Sequence, residues 1–179
     1  MRRDTWGASE GLGDEPTEQE VVRAHLVRCE LGNPNLWYTL DALEGDLGQV
    51  GSVILGPGTG EIDDEVAEHA EVGNHIFILN SVVCDKRFAG RQIGRWIAVE
   101  AILSLRSDVA LVAALAGPLD NSEGEERSRR ATKLRDVWTS VGFVEVEDGV
   151  MVLNPALRTS HEALVSLRQR FGAPTMNQW

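Results

Sequence analysis

The chain has 179 residues, of which 42% are hydrophobic and 25% charged, and its formal net charge is −11. That length suits one domain with a real core, and that sign disfavours nucleic acid as a default partner. No apolar run approaches the ~20 residues of a membrane span, and the opening MRRDTWGASEGLGDEP has no apolar stretch of the kind a secretory leader needs.

Taken in chain order, residues 1–19 are rich in Gly, Glu and Asp with little to bury, and read as a loose tail. VVRAHLVRCEL (21–31) alternates and is β-branched at its start, which predicts a strand, and GNPN follows as a turn. LWYTLDAL (36–43) reads as a second short strand, and DLGQVGSVIL (46–55) as a helix with Asp46 near its N-terminus. GPGTG (56–60) ends that helix as a connector, since no Lys-Ser/Thr follows as a phosphate loop requires. EIDDEVAEHAEV (61–72) reads as a short solvated helix or loop.

HIFILNSVVC (75–84) is a largely apolar strand, as expected when both faces are covered. RQIGRWIAVEAILSL (91–105) is helical, with Ile93, Ile97, Ala101 and Leu105 expected on the buried face. VALVAALAG (109–117) reads as a second buried strand, so 75–117 forms a strand–turn–helix–strand unit with parallel strands. An acidic loop over 118–126 leads into the helix RSRRATKLRDVWTSV. GFVEVEDGVMVLN closes as a hairpin around Asp148-Gly149. HEALVSLRQRF (161–171) is a final amphipathic helix that packs through Ala163, Leu164, Leu167 and Phe171. The domain proper is expected over 20–155, with 156–179 forming the C-terminal helix and a short tail.

The densest chemistry lies at the first strand–helix junction of that unit. There Lys86, Arg87, Arg91 and Arg95 crowd around Gly90 and Gly94, with Asp85 the only nearby acid. A helix N-terminus after a glycine turn offers unpaired N–H groups and a positive dipole end. Glycines let an anion approach the backbone closely, and arginines add charge-assisted donors suited to phosphate. The alternative is a tight turn with solvated arginines. A Walker loop is excluded because Arg95-Trp96 follows Gly94, and a dinucleotide fingerprint because its second glycine is absent. Cys29 and Cys84 have no metal or redox spacing, which suits reduced thiols in a cytoplasm, and Cys84 reads as a small apolar strand residue. The histidines 25, 69, 75 and 161 show no ligand spacing, so no metal is expected.

Residues 75–155 resemble the core of the GNAT superfamily of acyl-CoA-dependent N-acetyltransferases. The turn Ala89-Gly90-Arg91-Gln92-Ile93-Gly94 is similar to that family's Arg-Gly-x-Gly-x-Gly/Ala pyrophosphate loop, with Ala89 for the first arginine and Gln92 for the central glycine. Downstream, Val137-Trp138 and Gly142-Phe143 stand where the family has Leu-Tyr-x-x-x-Gly-Phe. The resemblance implies a mixed, mostly antiparallel α+β sheet, helices on both faces, and a central parallel strand pair splayed around acyl-CoA. Val82, Val83 and Cys84 would hold the pantetheine arm through backbone, and Arg87, Ala89, Gly90, Arg91, Gln92, Ile93, Gly94 and Arg95 the pyrophosphate.

It also implies that acetyl-CoA is the co-substrate and that the acceptor is a primary amine on a small molecule or protein, with no nucleic acid or membrane partner. A cationic acceptor fits the acidic chain, and a homodimer is left open. The general base is not identified: Glu71 and Asp85 are carboxylates near the strand, with Asp85 read first as a turn or charge-balancing residue, and Asn80 and Ser81 are positioned to orient a water. Trp138 replaces the tyrosine that often protonates the leaving thiolate and cannot act as an acid itself, while Tyr38 reads as packed beside Trp37. Arg127, Arg129, Arg130 and Lys133, mixed with acids, read first as a solvated helix face with i,i+4 pairs, and the resemblance offers one of them as a contact to a 3′-phosphate. An inactive acyl-CoA-binding sensor or partner module, and an interaction domain that binds no CoA, are the competing readings.

Overall fold

The computed structural model describes residues 19–43, 45–118 and 123–171; the tail expected over 1–19 lies almost wholly outside them, as do part of the acidic loop and the last eight residues. Five strands and six helices follow one another as β1 (Val22–Glu30), α1 (Leu36–Leu43), α2 (Gly45–Ile54), α3 (Asp64–Ala67), β2 (His75–Cys84), α4 (Ile93–Leu105), β3 (Val109–Leu115), α5 (Gly124–Thr139), β4 (Val144–Glu147), β5 (Val150–Leu153) and α6 (Arg158–Phe171). The strands form one mixed sheet in the order β1-β2-β3-β5-β4. Only β2 and β3 run parallel; the other three pairings are antiparallel.

The sheet separates two cores because a strand's side chains alternate between faces. Phe77 and Leu79 of β2, Val112 and Ala114 of β3, and Met151 and Leu153 of β5 bury on one face with Ala98, Val99 and Ile102 of α4, Trp138 of α5, and Leu164 and Leu167 of α6. Their neighbours Ile76, Ile78, Leu111, Ala113, Val150 and Val152 bury on the other face with Leu36, Leu40, Leu47, Val50, Ile54 and Val66 from α1, α2 and α3. Helices therefore cover both faces, as expected. The closing hairpin turns at Asp148 (φ 46°) and Gly149 (φ 81°), the left-handed pair that a two-residue turn needs. Among the described residues no helix is long and apolar enough to cross a membrane.

Three expectations are corrected. Residues 36–43 form a helix, not a strand. Aromatic and β-branched residues lend LWYTLDAL a strand's composition, but Leu36 and Leu40 lie one helical turn apart and bury together, leaving Tyr38 63% exposed against Trp37. On α4 the buried face is Ala98, Val99 and Ile102, whereas Leu105 is exposed and Ile93, Ile97 and Ala101 are half-buried. The helix is apolar most of the way round, so the i+4 steps did not single out the face that the sheet selects. Finally, β2 is covered on both faces only from Ile76 to Leu79; beyond Leu79 it opens, and Val83 is 53% exposed.

Candidate functional site

The opening of β2 builds the site. Its parallel pairing with β3 ends at Leu79–Ala114, although β2 continues to Cys84 on the antiparallel pairing with β1. At the same point the β1 register jumps from Leu26–Leu79 to His25–Ser81, which makes Asn80 the extra residue of a β-bulge. Asn80 Nδ2 lies 3.3 Å from His25 Nδ1. Among the described residues, no strand pairs with the β3-side edge of residues 81–84. Since alternate strand residues direct their N–H and C=O groups to opposite edges, that edge presents backbone donors and acceptors to whatever enters.

What lies beyond that edge is a cleft of about 790 Å³, floored by residues 79–84 and closed by Phe88–Gly90, by Gln92–Arg95, by the end of β3 through Pro118, and by Arg130, Lys133, Leu134, Val137 and Trp138 of α5. This volume falls within the ~300–1,000 Å³ typical of ligand sites. No carboxylate lines the cleft among the described residues; its charged side chains are Arg95, Arg130 and Lys133. The local charge is therefore opposite to the chain's net −11.

The turn into α4 is shaped by two left-handed residues. Gly90 has φ 75° and faces open space, since a Cβ there would meet nothing within 4 Å. Gln92 has φ 67° and occupies the cap of α4 without capping it: its side chain makes no hydrogen bond to the first-turn amides. The N–H groups at the start of α4 are left without helical partners, as at any helix N-terminus. Gly94 has another reason to be small. A Cβ there would lie 3.2 Å from Val82 Cγ1, so a glycine at this position lets α4 approach β2.

Of the residues singled out from sequence, Val82, Val83, Cys84, Ala89, Gly90, Gln92, Ile93, Gly94 and Arg95 all line the cleft. Arg87 and Arg91 do not. Asp85 caps the 3₁₀ turn Lys86–Phe88 by accepting from Arg87 N at 2.9 Å, and Arg87 forks onto it with Nε–Oδ1 at 3.0 Å and Nη2–Oδ2 at 2.6 Å. Those bonds lower the Asp85 carboxyl to about 2, and Asp85 is not among the residues lining the cleft. Arg91 lies over the Phe88 ring, 5.6 Å from its centroid. Arg95 lines the cleft and ties the turn to α5, with Nη1 donating to Ser140 Oγ at 2.5 Å and Nη2 to Gln92 Oε1 of the turn at 2.6 Å.

The remaining candidates divide by position. Asn80 and Ser81 line the cleft, but Glu71 does not, nor does Tyr38. Of the four late-helix cations, Arg130 and Lys133 face the cleft while Arg127 and Arg129 do not. Trp138 forms part of the wall at 7% exposure, tilted against Phe143 with centroids 5.7 Å apart. Cys84 is half-buried rather than buried, with its thiol 3.6 Å from Asp85 O. The wall formed by Ala114, Leu115, Gly117 and Pro118 escaped the sequence reading, although Gly117-Pro118 marks where β3 must stop. Compared against known protein families, curated protein sequences and solved structures, the chain matches none.

Proposed function

We propose that the chain is an acyl-CoA-dependent N-acetyltransferase, with acetyl-CoA as co-substrate in the cleft between β2, α4 and α5 and a primary amine as acceptor. One observation carries the reading: among the described residues, the edge of 81–84 without a partner strand and a helix N-terminus that its own cap side chain does not bond converge on a single cleft whose charged side chains are all cationic. A ligand with an amide-bearing arm at one end and phosphates at the other needs that combination. The arm takes hydrogen bonds from a strand edge, and the phosphates take them from helix amides and cations. The GNAT resemblance of residues 75–155 supports the same assignment.

In this reading the backbone of Val82–Cys84 holds the arm, Gly90 and the first amides of α4 hold the pyrophosphate, and Arg130 and Lys133 provide further cationic contacts. The thioester supplies an activated acetyl group. A backbone N–H on the open edge, aimed at its carbonyl oxygen, stabilises the charge that develops there and is worth about 3 kcal/mol or somewhat more. Asn80 and Ser81 line the cleft, where they would orient a water that relays the amine proton to solvent, while the C–S bond breaks and the departing CoA thiolate takes a proton from solvent. Arg87 contributes to the turn through Asp85 rather than to the ligand. The acidity of the chain is not shared by the cleft, so it gives a cationic acceptor no local attraction there.

Trp138 in the tyrosine position and the absence of a carboxylate from the described lining favour a second reading, an acyl-CoA-binding module without turnover. Calorimetry with acetyl-CoA tests both, and binding is expected. No binding would discard both and leave the interaction-domain alternative. Thiol release against a panel of primary amines then separates them: amine-dependent release supports the transferase, and its absence across the panel supports the module.

A further inference from the structure

A second cavity, about 290 Å³, lies beside the cleft and shares Gln92 and Arg95 with it; Ser140, Ser166 and Arg170 complete its polar wall. We propose that this pocket is a separate binding site for a phosphate-type oxyanion. Arg95 Nη2 and Arg170 Nη1 donate to the same atom, Gln92 Oε1, each at 2.6 Å. Arg95 Nη1 donates to Ser140 Oγ at 2.5 Å, and its buried Nε finds no acceptor among the described residues. Two guanidinium groups from different helices therefore meet over one neutral amide oxygen. No carboxylate stands on the cavity wall among the described residues. Burial and the neighbouring Arg170 charge push the Arg95 pKa down, as an uncompensated pair of like charges requires.

The chemistry of the wall selects the ligand. Each guanidinium has five donors, and the single Gln92 oxygen accepts only one from each. A group with several acceptor oxygens and dispersed negative charge matches the unused guanidinium donors and the hydroxyl of Ser166, and neutralises both arginines. A cation would add to the repulsion, and an apolar ligand would leave the donors unpaired. Glu100, the nearby acid on α4, is not available as a counter-ion because Arg168 and Trp96 hold it. Two sources carry the same chemistry: free inorganic phosphate, and a phosphate belonging to a ligand seated in the neighbouring cleft.

The test uses the full chain. Inorganic phosphate is titrated calorimetrically against chloride at constant ionic strength into the wild type, Arg170→Gln and Gly90→Glu, with far-UV circular dichroism confirming that each is folded. The expected result is saturable binding that Arg170→Gln weakens by about tenfold or more, as loss of a charge-assisted bond predicts, and that Gly90→Glu leaves unchanged. A parallel titration of CoA and dephospho-CoA distinguishes the sources: sensitivity of CoA alone to Arg170→Gln assigns the pocket to the ligand's 3′-phosphate. The proposal is overturned if phosphate does not saturate and Arg170→Gln changes neither CoA compound, or if Gly90→Glu abolishes phosphate binding and so places it at the turn. Phosphate binding without any CoA binding removes the acetyltransferase reading and leaves this site standing.

Discussion

Gly90 and Gly94 look equivalent in the sequence, four residues apart at the mouth of one helix, yet the structure gives them different work. Gly90 combines φ 75° with open space, so its constraint is conformational and its surroundings are free. Gly90→Ala is expected to cost about 1–2 kcal/mol through the left-handed backbone alone and to weaken CoA binding less than a charged side chain at the same position. Gly90→Glu keeps the fold at a similar cost but puts bulk and charge in the phosphate path, and is expected to weaken CoA binding by more than about tenfold. Calorimetry on both variants checks the pair, and normal CoA binding by Gly90→Glu would remove residues 89–95 from the site. Gly94 presses on Val82. Gly94→Val is expected to destabilise by about 1–3 kcal/mol through overcrowding, measured as a lowered urea midpoint. Gln92 shows what one sequence could not: a glutamine takes the left-handed position because Arg95 and Arg170 hold its side chain.

At the scale of elements, α4 is the piece on which the site depends, and it is fixed from two sides. Against β2 it packs through Gly94, Ala98 and Val99; against α6 it is clamped by Glu100, which accepts from Arg168 Nε at 2.9 Å and from Trp96 Nε1 at 3.3 Å, and by Trp96 stacked on Phe171 at 5.0 Å. The Arg168 bonds hold the Glu100 carboxyl below its ordinary range. The folded-state value is depressed, so the pair stabilises the protein above the unfolded glutamate value and loses that contribution as the pH falls through the folded one. Glu100→Gln is therefore expected to lower stability by about 1–2 kcal/mol at pH 7, with its difference from wild type shrinking below about pH 4. Urea midpoints of both proteins across that range check it. The same scale explains why α1 was mistaken for a strand: local composition favoured extension, while the pairing of Leu36 and Leu40 with α2 supplied the larger burial.

Across the whole molecule, the sheet is the wall shared by two cores, and no strand of the central three serves only one. Ile76 and Ile78 face one core while Phe77 and Leu79 face the other, and β3 and β5 alternate in the same way. Damage on one face must reach the other through these strands. Leu111→Ala, on the face covered by α1 and α2, is expected to lower stability by about 2–5 kcal/mol. It should also preserve one transition, with far-UV circular dichroism and tryptophan fluorescence coinciding along the urea curve. Two separated transitions would mean that the faces unfold independently. Charge is also distributed at this scale: an acidic chain keeps a cleft whose described lining is cationic, so the net value says little about what binds there.

The sequence by itself determined the elements that are long and strongly patterned, because local periodicity records burial directly. It showed the strand at 75–84, the glycine turn, the helix and parallel strand after it, the late helix, the Asp148-Gly149 hairpin and the last helix. It also located most of the cleft's floor and mouth, since a cationic glycine turn is visible without a fold. Tertiary structure alone decided which face of α4 is buried, that 36–43 is helical, that Arg87 belongs to Asp85, and that Arg130 and Lys133 reach the cleft while Arg127 and Arg129 do not. Those outcomes depend on which distant surfaces meet and on where β2 parts from β3. A linear pattern carries no record of either.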